Sequence, residues 1–183
     1  MQHIDNIYDL PNLRYMDVRA NINSADIMLC KGTQWISKGI QRWTKSPWSH
    51  VGLILWTNDR IVVVESVDHG VRAITLSSLI RQNPSEIVVC RCNWVNSERA
   101  IEIAKSAIDY LGIPYDWHHI LEIMWRITWG KGRKLDNNKF ICSELVAECF
   151  DDAGYSFQYD KRGFVTPENI WCDNSMEVIG RLM

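Results

Sequence analysis

Cys142 stands where a polar, glycine-containing stretch, TWGKGRKLDNNK (128–139), gives way to the helical pattern FICSELVAECFDDAG. A cysteine reacts as its thiolate, and a helix N-terminus favours negative charge through unsatisfied N–H groups and the macrodipole. The same position belongs to an apolar stripe of Ile141, Leu145, Val146, Cys149 and Phe150, so taken alone Cys142 reads as a buried core thiol. The histidine that could activate it is His50, in KSPWSHVGLIL (45–55), where a proline-terminated turn leads into an apolar run. SHVGLILW and RIVVVESVD are β-branched runs separated by Thr57-Asn58-Asp59, which is hairpin chemistry. A loop centred on Asn58 and Asp59 sets Gly52 opposite Glu65 and His50 opposite Val67. His50 and Glu65 then share a sheet face as diagonal neighbours about 7–8 Å apart at Cα. A carboxylate inside IVVVESV is costly to bury unpaired, and an imidazole supplies the partner. Held in one tautomer by that carboxylate, the imidazole can deprotonate a thiol, the logic of a nucleophile, base and orienting residue. The stripe containing Cys142 must dock its helix against the sheet, and docking on the face of His50 would bring thiol and imidazole together.

The elements that hold these residues follow from periodicity. ADIMLC (25–30) reads as a strand and TQWISKGIQRWT (33–44) as a helix, ended by Lys45-Ser46-Pro47. Asp68-His69-Gly70 turns the chain into a strand at VRAIT, and EIVVCRC (86–92) adds another, giving an antiparallel meander. NSERAIEIAKSAIDYLG predicts a helix capped by Asn96 or Ser97, with an apolar line at Ile101, Ala104, Ile108 and Leu111 and Gly112 as its stop. A further helix is expected after Pro114, and the tail holds a Pro167-led turn and a last apolar segment, MEVIGRLM. Helices and strands are partly segregated, so the class is α+β.

Bulk properties narrow the function. At 183 residues and 46% hydrophobic composition, the chain can build one full core, and a single domain over residues 1–183 is expected. A formal charge of −2 and a pI near 6.2 give no overall field to draw in nucleic acid or an anionic membrane. No stretch approaches the roughly 20 apolar residues that span a bilayer, and MQHIDNIYDLPNLRY lacks the basic-then-apolar pattern of a secretory signal. A cytoplasmic location without stable membrane insertion is therefore the expectation, export of a longer precursor aside. The six cysteines, at 30, 90, 92, 142, 149 and 172, form no C-x-x-C pair and are expected to be reduced.

SADIML, WSHVGLIL, VVVESVDHGVR, GIPYDW and FICSELVAECF together resemble the circularly permuted papain-like cysteine hydrolases. These are a branch of the NlpC-type cell-wall peptidase superfamily that also includes lecithin retinol acyltransferase relatives. In the ordinary papain order the cysteine precedes the histidine; here His50 comes first, as in the permuted branch. The match runs from about Ala25 to Pro167, and S-H-V-G and C-S-E-L-V are its strongest segments. The resemblance implies a permuted papain-like fold, an antiparallel sheet or partial barrel packed against helices. It implies Cys142 as nucleophile, His50 as base and Glu65 as orienting residue, cleaving an amide through a thioester acyl-enzyme, with murein peptide as one substrate class and no cofactor. Asp26 and Tyr115 match positions that look structural or site-adjacent. Phe140 and Ile141 stand where some relatives have tyrosine, so no tyrosine hydroxyl from there serves the oxyanion; the backbone N–H of Cys142 is the expected donor.

Other signals are weaker. Among nine tryptophans, Trp35 and Trp43 are assigned to the core by helical spacing. Trp48, beside His50, and Trp129, in the loop before Cys142, are the candidates for lining a substrate groove. His118 and His119 are adjacent, about 100° apart on a helix, and His118 can share a face with Glu122, but no H-E-x-x-H accompanies them and no metal site is expected. GKGRK is too short for a phosphate loop, and no G-x-S-x-G elbow is present. Two further readings stay open: the same triad acting on lipid esters or amides by hydrolysis or acyl transfer, and a non-catalytic binding module with a structural Cys142. Oligomeric state is not legible.

Overall fold

The computed structural model describes residues 11–31, 46–67, 69–82, 86–114, 141–159 and 163–182. Its centre is the hairpin of β3 (His50–Thr57) and β4 (Arg60–Val67), in which Leu53 faces Val64 and Thr57 faces Arg60 across the Asn58-Asp59 turn. Asn58 has φ of 51°, a left-handed conformation that asparagine tolerates and a two-residue turn requires. This is the register read from the sequence. β4 pairs next with β5 (Gly70–Thr75), placing Glu65 opposite Arg72. On the other side of β3 lies β2 (Ile27–Lys31), with Cys30 opposite His50.

The meander stops at β5. The following strand, β6 (Glu86–Cys92), pairs with β2 instead, because α2 (Leu76–Gln82) packs on the sheet and carries the chain away from the β5 edge. β7 (Met176–Leu182) pairs antiparallel with β6, and β1 (Asn12–Leu13) runs parallel to β7. The seven-stranded order is β1-β7-β6-β2-β3-β4-β5, an open, mostly antiparallel sheet rather than a closed barrel.

Both faces of the sheet are covered, and alternation along the strands sorts their side chains. One face carries Ile27, Leu29, Val51, Leu53, Leu55, Val64 and Val88 against α3 (Ser97–Asp109) and α4 (Cys142–Asp152). The other carries Met28, Cys30, Ile54, Ile61, Val63 and Val89 against Val18 of α1 (Tyr15–Val18) and Leu76 and Leu79 of α2. Asn96 caps α3 by accepting the Arg99 N–H at 2.9 Å. The apolar line anticipated on α3 is corrected: Ile101 and Ile108 are 56% and 54% exposed, while Ile103, Ser106 and Ala107 are buried. The reason is the neighbour. Small side chains admit α4 closely, and Ser106 Oγ donates to Asp152 Oδ2 of α4 at 2.5 Å.

Gly154, at φ of 89°, ends α4 as anticipated. The Pro167-led turn is a short helix, α5 (Pro167–Trp171), whose Thr166 hydroxyl accepts the Asn169 N–H at 3.2 Å. None of the six cysteines is in a disulfide. Among the described residues no helix is long and apolar enough to cross a membrane. The helices expected over 33–44 and after Pro114, and the loop over 128–139, lie outside the described residues.

Candidate active site

His50 is the first residue of β3, and Glu65 lies well inside β4. Strand alternation puts both on the face of Ile54, Ile61 and Val63, and Glu65 Oε2 stands 2.7 Å from His50 Nε2. Gly52 keeps that approach open: a Cβ there would stand 2.6 Å from Val63 Cγ1 and 3.4 Å from Glu65 Cβ. The other carboxylate oxygen, Glu65 Oε1, accepts two hydrogen bonds from Arg72, from Nε at 3.0 Å and from Nη2 at 2.8 Å. Sequence reading missed Arg72. The signal was available, because treating Asp68-His69 as a two-residue turn, like Asn58-Asp59, would have set Arg72 opposite Glu65.

Cys142 begins α4. Ile141 is extended (φ −83°, ψ 164°), and the first helical bond runs from Leu145 N–H to Ile141 C=O at 3.0 Å. Glu144 Oε2 accepts the Ile141 N–H at 3.3 Å, but the Ile141 side chain has no acceptor to return, so it caps none of the first-turn N–H groups. The stripe of Leu145, Val146, Cys149 and Phe150 is buried against Val51, Leu53 and Val64. Helix α4 therefore docks on the face opposite His50 and Glu65, not on theirs. Thiol and imidazole still interact, because each is the first residue of its element. They come together at the end of the sheet, where the Cys142 side chain lies close enough to His50 to act on its imidazole. Cys142 is only half-buried, and the His50 side chain is 25% exposed, so the pair is open to solvent.

Burial pulls the His50 pKa down, but hydrogen bonds and charge from Cys142 and Glu65 prevail and hold it well above its ordinary value. For Glu65, burial pushes upward, and His50 and Arg72 prevail to hold the carboxyl below its ordinary value. Burial pushes Cys149 up to about 12 and Cys172 up to about 11, and raises Cys90 and Cys92 as well.

The remaining predicted residues fall elsewhere. Asp26 is buried at the far end of β2, accepting from Arg91 Nε at 2.7 Å, Arg91 Nη2 at 2.9 Å and the Asn23 N–H at 2.7 Å, a structural role. Trp48 corrects the expectation of a groove wall: it is fully buried in the core, its ring 5.1 Å from that of Trp171. Ser46 turns it inward, its hydroxyl accepting the Trp48 N–H at 3.0 Å and donating to Glu168. Trp129, Tyr115, Phe140, His118, His119 and Glu122 lie outside the described residues. Among the described residues no group of His, Cys, Asp or Glu side chains is placed to hold a metal ion.

Comparison with curated proteins gives no match. Among solved structures, one described as the crystal structure of metalloprotein yiiX from Escherichia coli O157:H7 is similar in fold, with a TM-score of 0.68 over 85% of this chain and 95% of that one, at 22% identity. The family model described as "Permuted papain-like amidase enzyme, YaeF/YiiX, C92 family" matches residues 21–179. The chain thus belongs to the permuted papain-like amidases and is a thiol-dependent hydrolase of that family.

Proposed function

We propose that Cys142, His50 and Glu65 are the catalytic triad of this amidase and that it cleaves a peptide amide through a thioester acyl-enzyme. One observation carries the reading, the double engagement of a single imidazole. Glu65 holds Nε2 at 2.7 Å, and the Cys142 side chain acts on the same ring, for which Nδ1 is the nitrogen that would serve it. An imidazole kept readily protonated beside a sulfur is the partner a thiolate nucleophile needs.

In the reaction the thiolate attacks the carbonyl carbon, and the negative oxygen is met by the backbone N–H of Cys142 at the start of α4. His50 gives its proton to the departing amine as the C–N bond breaks, leaving the acyl group on sulfur. Water then attacks the thioester, His50 takes its proton, and the C–S bond breaks to release the acid. Glu65 keeps the imidazole in its working tautomer throughout. Murein peptide stems are the substrate class that the family resemblance favours.

The test is incubation of wild type and Cys142→Ala with panels of murein peptides, small amides and lipid esters, read by mass spectrometry. The expected result is paired amine and acid products from peptides with wild type alone, and an acyl adduct on Cys142 with slow substrates. Turnover undiminished in Cys142→Ala, or an acyl group on another cysteine, would overturn the assignment. Turnover confined to lipid esters would replace the peptide with a lipid substrate.

A further inference from the structure

We propose that Arg72 is a positioning residue of this site, clamping one oxygen of Glu65 so that the other meets His50. The proposal rests on the triad reading above. Arg72 reaches neither the sulfur nor the scissile bond in this account; it acts through the carboxylate.

The geometry separates Arg72 from an ordinary cross-strand ion pair. A pair with both partners in solvent contributes little. Here one partner is buried, with the Glu65 side chain 3% exposed against 49% for Arg72. Both Arg72 bonds, from Nε and Nη2, fall on Oε1, and His50 Nε2 takes Oε2. A carboxylate so divided has no free rotation about its terminal torsion. Its charge is held from the side away from the imidazole.

The chemistry gives the clamp a purpose. A carboxyl buried with a histidine as its sole partner can take up a proton as the pH falls, and a neutral acid no longer supports an imidazolium. A guanidinium is charged at every working pH, and its planar fork supplies two donors in fixed relation, which a lysine ammonium cannot reproduce. Arg72 therefore keeps Glu65 an acceptor over the range in which His50 titrates. The register makes this possible: Arg72 sits directly opposite Glu65 on β5, the edge strand, where its side chain reaches the buried carboxylate while staying about half exposed.

The experiment compares wild type, Arg72→Met and Arg72→Lys by the pH profile of iodoacetamide alkylation at Cys142, which needs no substrate, and by kcat and KM on any amide the panel identifies. Arg72→Met is expected to lose about tenfold to a hundredfold in kcat, the scale on which outer partners tune an oriented histidine, with KM little changed. The acid limb of both profiles should move to higher pH as Glu65 protonates earlier. Millimolar guanidinium should restore part of the rate in Arg72→Met, because the vacated site is half open to solvent. Arg72→Lys should fall between the two. An unmoved acid limb, or a rate loss that tracks the folded fraction in thermal melts, would reduce Arg72 to a cross-strand contact and leave the triad standing. A shifted alkylation limb in a chain that turns over no amide would keep Arg72 as positioning residue and sink the peptide-amide reading.

Discussion

Changing Glu65 to glutamine isolates what its charge does, because the structure dictates how the amide must turn. Arg72 brings two donors to Oε1, at 3.0 and 2.8 Å, and needs an acceptor there. The amide oxygen of Glu65→Gln therefore stays with Arg72, and the NH2 faces His50 Nε2. A donor at that place makes Nε2 accept, so the neutral imidazole carries its proton on Nδ1, toward Cys142. In that tautomer it cannot take the thiol proton. A wrong-tautomer histidine of this kind costs about 10^4-fold in kcat, or about 5 kcal/mol of transition-state stabilisation. Folding should suffer far less, since volume and hydrogen bonds survive and the loss is the charge-assisted part, about 1–3 kcal/mol. The assay pairs kcat on a peptide amide with Cys142 alkylation at neutral pH and a thermal melt. A rate within about tenfold of wild type in a folded variant would refute the tautomer argument. A collapsed melt accounting for the whole loss would make Glu65 a structural residue instead.

Four further outcomes follow from the same contacts. Iodoacetamide at neutral pH should label Cys142 first, with exposed Cys172 lagging because its thiol is pushed up to about 11; peptide mapping showing Cys172 or Cys149 labelled as fast would contradict this. Cys142→Ala should lower the His50 pKa seen by NMR ring-proton titration, since the Cys142 side chain raises it by hydrogen bond and, as thiolate, by charge, and an unchanged value would break the contact. Because His50 is raised on folding, its contribution to stability is complete below about pH 6.5 and fades as pH rises through the folded value, so the melting advantage of wild type over His50→Gln should shrink on the alkaline side. Asp26→Asn should cost about 3 kcal/mol, roughly 6–12 °C in Tm, by leaving Arg91 facing a neutral partner in a buried pair; a shift under 2 °C would show the pair to be dispensable.

The central hairpin was legible because its information is local. Two β-branched runs and a two-residue turn fix a register, and the register fixes which residues share a face, so His50 and Glu65 could be paired from spacing alone. Arg72 needed only the same rule applied one turn further on. The position of β6 was not legible, since which strand it joins depends on α2 and on partners distant in sequence. The α3 face was misread for a related reason: large aliphatic residues look like a core line, but the neighbour of this helix selects the small ones. Trp48 was misplaced because sequence proximity to His50 says nothing of direction, and direction was set by Ser46 and Trp171. Docking of α4 on the far face shows that two residues can meet at element ends without sharing a face.

The bonds that Glu65 makes have a consequence for how the chain comes into being. His50 lies 15 residues before it and Arg72 lies 7 after it, so among the described residues the partners of this buried carboxylate are supplied by one short stretch. Local contacts of that kind close early, whereas the thiol arrives on a helix much further along the chain. On the proposed triad, a nascent chain leaving the ribosome therefore holds its base and orienting carboxylate before the residue proposed as nucleophile has been made. In the unpermuted order the cysteine would emerge first and wait, exposed, for its histidine. Permutation reverses the birth order of the two halves, and a chain interrupted before Cys142 would lack the proposed nucleophile altogether.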